Sequence, residues 1–301
     1  MENNYHIPVL YNECLKALDI KPDGVYVDCT FGGGGHSKGI LQQLGAKGKL
    51  IAFDQDADAA NNIVEDERFV FVPNNFKYLQ RFLRLHNIEK VDGLLADLGV
   101  SSHQFDTGLR GFSIRYNGPL DMRMDQRQPN NAADVLKSFT EQQLHKMFEL
   151  YGEVTNSKTL AKFIVDSRKS ANFETIDGFK NFLTPVVKGN PNKYLAQVFQ
   201  ALRIEVNDEL GALKEMLLQT NEVIKKGGRL AVITFHSLED RLVKNFMRLG
   251  AFEEPITNPF DNTLIEKKWA ILSKKPIEAG LDELGKNNRA RSAKLRVAEK
   301  L

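Results

Sequence analysis

The 301-residue chain holds only two cysteines, Cys14 and Cys29, too few for a disulfide framework or a thiolate metal site. Both read as structural thiols in a reducing compartment. The sequence also lacks an apolar run long enough to span a bilayer, and it lacks a signal peptide. The expected location is therefore the cytoplasm, away from membranes. Excess charge of either sign is missing: 41 Lys and Arg stand against 39 Asp and Glu, a net +2. Any nucleic-acid surface must then be a local patch. His6, His36, His103 and His236 are scattered without paired spacing, so no metal is expected. Internal repeats and low-complexity segments are absent too. What remains is 42% hydrophobic and 27% charged, as in ordinary globular proteins, with room for one large domain or two smaller ones.

The chain is organised around Val25-Tyr-Val-Asp-Cys-Thr-Phe-Gly-Gly-Gly-Gly-His-Ser37. A short β-branched and aromatic run breaks at four glycines, and a helix is expected over Ser37 to Leu44. Glycine tolerates positive φ and admits another molecule close to the main chain, so Gly32 to Gly35 mark a meeting of backbone and ligand. Some twenty residues on, where a nucleotide-binding βαβ unit places its acid, the apolar strand Lys49-Leu-Ile-Ala-Phe ends in Asp54. A nicotinamide fingerprint would need a third glycine where Ser37 stands. The spacing Asp28-x-Thr30-x-Gly32-x-Gly34 is more like the first motif of S-adenosylmethionine-dependent methyltransferases, and a turn that merely packs strand on helix is the bland alternative.

A second helix is expected over Ala57 to Ile63, a third strand over Arg68 to Val72, and a buried parallel strand over Lys90 to Asp97. Three strands thus end in acids, Asp28, Asp54 and Asp97, on the edge where open α/β sheets bind ligands. Phe76, in the loop after the third strand, either stacks on an adenine or belongs to the core. The next parallel strand, Gly227 to His236, and its preceding helix, Asp208 to Lys226, come about a hundred residues later. A crossover needs only about a dozen, so an inserted domain is expected. Its apolar positions at helical spacing include a capping box at Thr140 and Gln143 and a helix capped by Ser157. Lys158, Lys162, Arg168 and Lys169 are either an RNA-facing side or a solvated helix face. Closing strands are expected over Lys268 to Ser273 and Ala293 to Val297, with Gly280 to Asn288 a loop between them. The basic run Arg289, Arg291, Lys294, Arg296 and Lys300 either binds phosphate or protects a sheet edge. The N-terminal stretch from His6 to Glu13 is either a strap over the cofactor site or a packed terminus.

A resemblance adds to this reading. His6-x-Pro-Val-Leu10, Asp28-x-Thr-Phe-Gly-x-Gly-Gly-His-Ser37, Asp92-Gly-Leu-Leu-Ala-Asp-Leu-Gly-Val-Ser-Ser102, Arg110-Gly-Phe-Ser113 and Pro119-Leu-Asp-Met-Arg-Met124 occur in this order. Phe199-Gln-Ala-Leu-Arg-Ile204, the segment from Gly228 to Arg241, and Arg289 to Glu299 follow. Together they resemble, nearly end to end, the MraW or RsmH family of bacterial small-subunit ribosomal RNA cytosine-N4 methyltransferases. The resemblance implies an α/β, doubly wound, Rossmann-like methyltransferase sheet over 1–105 and 207–301, with a helical insert over 106–206 for RNA recognition. It implies S-adenosylmethionine as cofactor and, as partner, 16S rRNA in an assembled or nearly assembled 30S subunit. Carried over by motif, Gly34, Gly35 and His36 approach the methionine part, Asp54 holds the ribose, Phe76 lines the adenine, and Asp97 and Gln104 complete the site. The family usually has a small residue or proline where His103 stands.

A cytosine amine is a weak nucleophile, so the chemistry needs orientation and acceptors for its N–H groups. DNA amino-methyltransferases often use Asp/Asn/Ser-Pro-Pro-aromatic at this place. Here Asp97-Leu-Gly-Val100 keeps the acid alone. Asp97 either receives the amine or serves only the cofactor. Phe112 or Tyr116 would stack on the base. Asp121, Arg123, Ser237, Asp240 and Arg241 would line the opening, with Arg123 the second catalytic candidate, or they form salt bridges that hold the insert against the sheet. Neither cysteine is placed to activate a pyrimidine carbon, which favours an amine or hydroxyl target.

Overall fold

A computed structural model describes residues 8–252 and 267–301. His6, and most of the Pro/Asn-rich connection that follows the helix ending at Leu249, lie outside these residues. In chain order the described elements are α1 (Tyr11–Leu18), β1 (Val25–Asp28), α2 (Gly35–Gln43), β2 (Lys49–Phe53), β3 (Phe69–Val72), α3 (Leu79–Leu85) and β4 (Val91–Asp97). Then come α4 (Ser102–Asp106), α5 (Ala132–Ser138), α6 (Glu141–Leu150), α7 (Ser157–Ser167), α8 (Ile176–Leu183), α9 (Pro191–Asn207) and α10 (Glu209–Val223). The chain closes with β5 (Ile224–Thr234), α11 (Ser237–Leu249), β6 (Trp269–Ile271), α12 (Leu281–Lys286) and β7 (Lys294–Lys300). It divides into two compact units, one of 1–99 with 211–301 and one of 100–210.

In the first unit the strand order is β3-β2-β1-β4-β5-β7-β6. The five strands from β3 to β5 run parallel, and β7 pairs antiparallel with both β5 and β6. Strand side chains alternate between two cores. Val27, Ile51, Leu94 and Val232 pack with α3, α10 and α11, whereas Tyr26, Leu50, Leu95 and Ile233 pack with α1 and α2. Helices on both faces make the sheet doubly wound, which is why its central strands read as unbroken apolar runs. Each fully buried Leu or Ile here contributes about 1.5–3 kcal/mol. The order reverses direction between β1 and β4, the point at which such sheets open a crevice at their carboxyl ends.

Several elements differ from expectation. Ala57–Asn62 is a 3-10 helix rather than an α-helix, started by the Asp56 side chain accepting from Asp58 N. The helix ahead of β5 ends at Val223, and the strand begins at Ile224, opposite Val91, with a register shift before Gly93. Gly227 in that irregularity has φ +78. The expected loop after Gly280 contains α12. β7 lies inside the sheet, between β5 and β6, so its basic residues protect no edge.

The second unit is helical around one core of residues such as Leu144, Phe148, Leu160, Ile164, Phe179, Val198 and Leu202. Capping boxes start α4 at Ser101 and Gln104, α5 at Asn131 and Asp134, and α6 at Thr140 and Gln143, each supplying partners to otherwise orphaned N–H groups. Ser157 is the first residue of α7 and not its cap; Asn156 precedes it and makes no side-chain capping bond.

Candidate active site

The first unit brings its three edge acids and the glycine loop together. Asp28 ends β1 and is buried, accepting from Thr30 N at 3.0 Å and Ser37 Oγ at 2.7 Å. Asp54 follows β2 and ties down the loop: its Oδ2 accepts from Gly32 N at 2.7 Å and its Oδ1 from Asp56 N at 2.9 Å. Burial pushes its carboxyl up to about 6 against the lowering effect of those two donors. Each oxygen keeps a second lone pair, so the Asp54 expected to face a ribose also holds the polyglycine bend in place.

Gly34 caps α2 with φ +73, and a side chain there would meet the Phe31 ring at 3.0 Å. A Cβ on Gly33, by contrast, would have nothing within 4 Å, so the main chain lies open at that residue. Gly35 is closed by Pro8, whose Cγ would lie 2.2 Å from a Cβ. Of the four glycines, Gly33 is the exposed one.

Asp97 ends β4, and its backbone N–H donates to Thr30 Oγ1 at 2.7 Å, tying the loop after β1 to the fourth strand. Its carboxyl oxygen Oδ1 is closed off from solvent and has no hydrogen-bond partner among the described residues, although a quarter (25%) of the side chain stays accessible. Burial, then the negative charges of Asp28 and Glu239, push the carboxyl up to about 8. His36, in the first turn of α2, has Nδ1 3.8 Å from Asp97 Oδ2 and Nε2 3.1 Å from the Val9 carbonyl. Burial lowers its basicity, against the opposing pull of the Asp28 charge and the Val9 carbonyl. Phe76 starts a 3-10 helix and packs half-buried against the sheet core.

The other candidates belong to the second unit. Gln104 is buried, and its Oε1 accepts from Ser101 N at 3.0 Å in the capping box of α4. Arg123 is held within its own loop: Nε and Nη2 reach Asp121 at 2.8 and 2.7 Å, and Nη1 reaches the Gln128 carbonyl at 2.7 Å. Asp121 and Arg123 thus pair with each other inside the insert, which is not a bridge from insert to sheet. Asp240 likewise pairs within the first unit, taking Arg296 of the basic run in two bonds of 2.6 and 3.0 Å. Phe112, expected to stack on a base, is instead buried in the insert core under Arg110, because the surrounding apolar helices supply the contacts a nucleobase would. Tyr116 is 44% exposed.

That loop is over-determined. Met122 sits at φ +62, its N–H donates to the Arg110 carbonyl, and Asn207 holds Met122 O and Met124 N at 2.8 and 2.7 Å. Strain persists only where surrounding bonds enforce it. Sequence reasoning missed Asn207 and the Val9 contact, since neither carries a local signal. Thr30 stood in the quoted motif, yet its bond to Asp97 depends on strands far apart in the chain.

The site fits an S-adenosylmethionine cofactor on two observations: a carboxyl oxygen without a donor suits a sulfonium, and the bare Gly33 main chain admits close approach. This sheet order with acids at the ends of β1, β2 and β4 defines an S-adenosylmethionine-dependent methyltransferase. The MraW methylase family matches residues 3–301, and the chain belongs to that family. It is 53% identical over 300 residues to ribosomal RNA small subunit methyltransferase H of Bacteroides fragilis (strain YCH46), covering 99% of this chain and 98% of that one. The protein of the same name from Christiangramia forsetii is 52% identical over 302 residues, with 99% and 98% covered. A solved rRNA methylase from Streptococcus thermophilus aligns at a TM-score of 0.38 with 13% identity over 97% of this chain and 94% of that one. Among the described residues no helix is long and apolar enough to cross a membrane.

Proposed function

We propose that this protein methylates the exocyclic N4 amine of a cytidine in the decoding region of 16S ribosomal RNA, acting in the cytoplasm on an assembled or nearly assembled 30S subunit. S-adenosylmethionine is the donor; bound, it supplies an electrophilic methyl on a positively charged sulfur. The observation that carries the proposal is Asp97 at the end of β4, a quarter (25%) of whose side chain stays accessible and whose Oδ1 receives no donor among the described residues. Such an acid is available to the N–H of an incoming amine or to the positive charge of the donor. Gly34, Gly35 and His36 would hold the methionine part, Asp54 the ribose, Phe76 the adenine, and Gln104 would complete the site. The target base must leave its stack or be unpaired beforehand, and Tyr116 is the exposed ring of the insert that would take it. Arg123, already bound to Asp121, is a positioning residue that shapes the loop rather than one that touches the base.

The end-to-end likeness to proteins named for the small-subunit RNA supports that substrate, and the placement of both cysteines inside the cores supports an amine over a ring carbon. The test is incubation with labelled methyl donor and small subunits from an undermethylated strain, then nucleoside mass spectrometry. N4-methylcytidine is the expected product; label in a carbon-methylated pyrimidine, or none, overturns the proposal.

A further inference from the structure

Hydrogen bonding around His36 and Asp97 is one-sided. His36 Nε2 lies 3.1 Å from the Val9 carbonyl oxygen. A carbonyl only accepts, so Nε2 carries the ring hydrogen, and in the neutral imidazole Nδ1 is left as a lone pair. That lone pair, not an N–H, faces Asp97 Oδ2 at 3.8 Å, while Oδ1 faces no partner. The groups that act on the Asp97 carboxyl are Asp28 from β1 and Glu239 from the first turn of α11, which lies 3.1 Å from His236. On the side of α1 stands the Cys14 thiol, whose proton is held chiefly by burial and further by the charges of Glu13, Asp28 and Glu283. None of these is a fixed cation. Among the described residues a carboxylate here has neither a donor at Oδ1 nor a counter-charge, a costly state for a largely buried acid, whereas a carboxyl O–H has an acceptor facing it at Nδ1.

We propose that Asp97 is a proton-exchanging counter-ion: it holds a proton in the free protein, releases it to solvent when a sulfonium binds beside it, and so distinguishes the cationic donor from the neutral thioether left after transfer. The inference rests on the cofactor reading above and deepens it. The exchange balances: –COOH becomes –COO⁻ with one H⁺ entering the buffer, and the carboxylate regains a proton from solvent once the positive sulfur is gone. His36 is the positioning residue, since its pinned tautomer keeps an acceptor turned toward the acid.

The experiment is calorimetric titration of the full chain at pH 7 with S-adenosylmethionine and with S-adenosylhomocysteine, each in two buffers of different ionisation enthalpy. Close to one proton should be released with the first ligand and close to none with the second. The amino-acid portion is common to both and cancels in the comparison. The ratio of the two dissociation constants should shift toward the donor by about tenfold per pH unit from pH 6 to 8 and level off above. Asp97→Asn should make the ratio independent of pH while S-adenosylhomocysteine still binds, and His36→Phe should move the levelling-off to lower pH. Because the asparagine variant could fail to fold, infrared difference spectra of the unmodified protein give a second readout. A protonated-carboxyl band should vanish on adding the donor and persist on adding the spent product. Equal proton counts for both ligands overturn the inference and leave the cofactor assignment standing; if neither ligand binds, both fall.

Discussion

Asp97 in the sheet unit and Asp121 in the helical insert are both acids in family motifs, and their surroundings treat them oppositely. Asp121 accepts two bonds from Arg123, and that hydrogen-bonded pair outweighs burial to hold its carboxyl below the usual range. Asp97 receives nothing and is pushed up to about 8. Around Asp121 the insert meets the polar groups of this pair from its own loop. The sheet edge leaves one unmet, as a site built to receive a charged ligand must.

The largest expected effect breaks the sheet side of this contrast alone. Gly34→Val forces a branched side chain into φ +73 and against Phe31, so affinity for S-adenosylmethionine should fall about a hundredfold, from strain and overpacking together, measured by calorimetry. Equal loss of binding and of helical content would show instead that the whole chain had unfolded. Next is stability against pH. The folded carboxyl of Asp97 titrates near 8 and the unfolded one near 3.8, so between those values the folded state holds the extra proton. Stability therefore falls as pH rises through that window. Asp97→Asn should leave the Tm of the ligand-free protein unchanged near pH 4 and raise it by about 5 °C at pH 8.5, read by scanning calorimetry.

The insert side is sharpened by Arg123→Ala, which leaves Asp121 without its partner. A loss of about 1.5 kcal/mol in denaturant unfolding is expected, with roughly tenfold slower RNA methylation from the disordered loop and unchanged cofactor affinity. A parallel fall in cofactor affinity would break the contrast. Smallest is Lys162→Ala on the exposed face of α7, whose ion pair with Asp166 is solvent-screened. Tm should move by about a degree or less. If RNA affinity nevertheless drops steeply with this change, α7 is a nucleic-acid face and not merely a solvated one.

The unbroken apolar strands, the glycine bend, the acids ending β1 and β4, and the long excursion after β4 are all local patterns, and these were legible. A period of two or 3.6 residues is written into neighbouring positions. The 3-10 geometry at Ala57–Asn62 and the short α12 after Gly280 were not, because the first buries only Ala59 and the second no residue, so no apolar stripe marks either.

By itself, the order of residues determined which chemical groups stand at the strand ends and which family they resemble, since both are properties of contiguous segments. Only the tertiary structure decided their state. It set Val9 against His36 to choose a tautomer, Thr30 against the Asp97 amide, Arg123 around Asp121, and β7 within the sheet instead of at its rim. Protonation and availability depend on burial and on partners distant in the chain, and those distances come into being only when the chain folds.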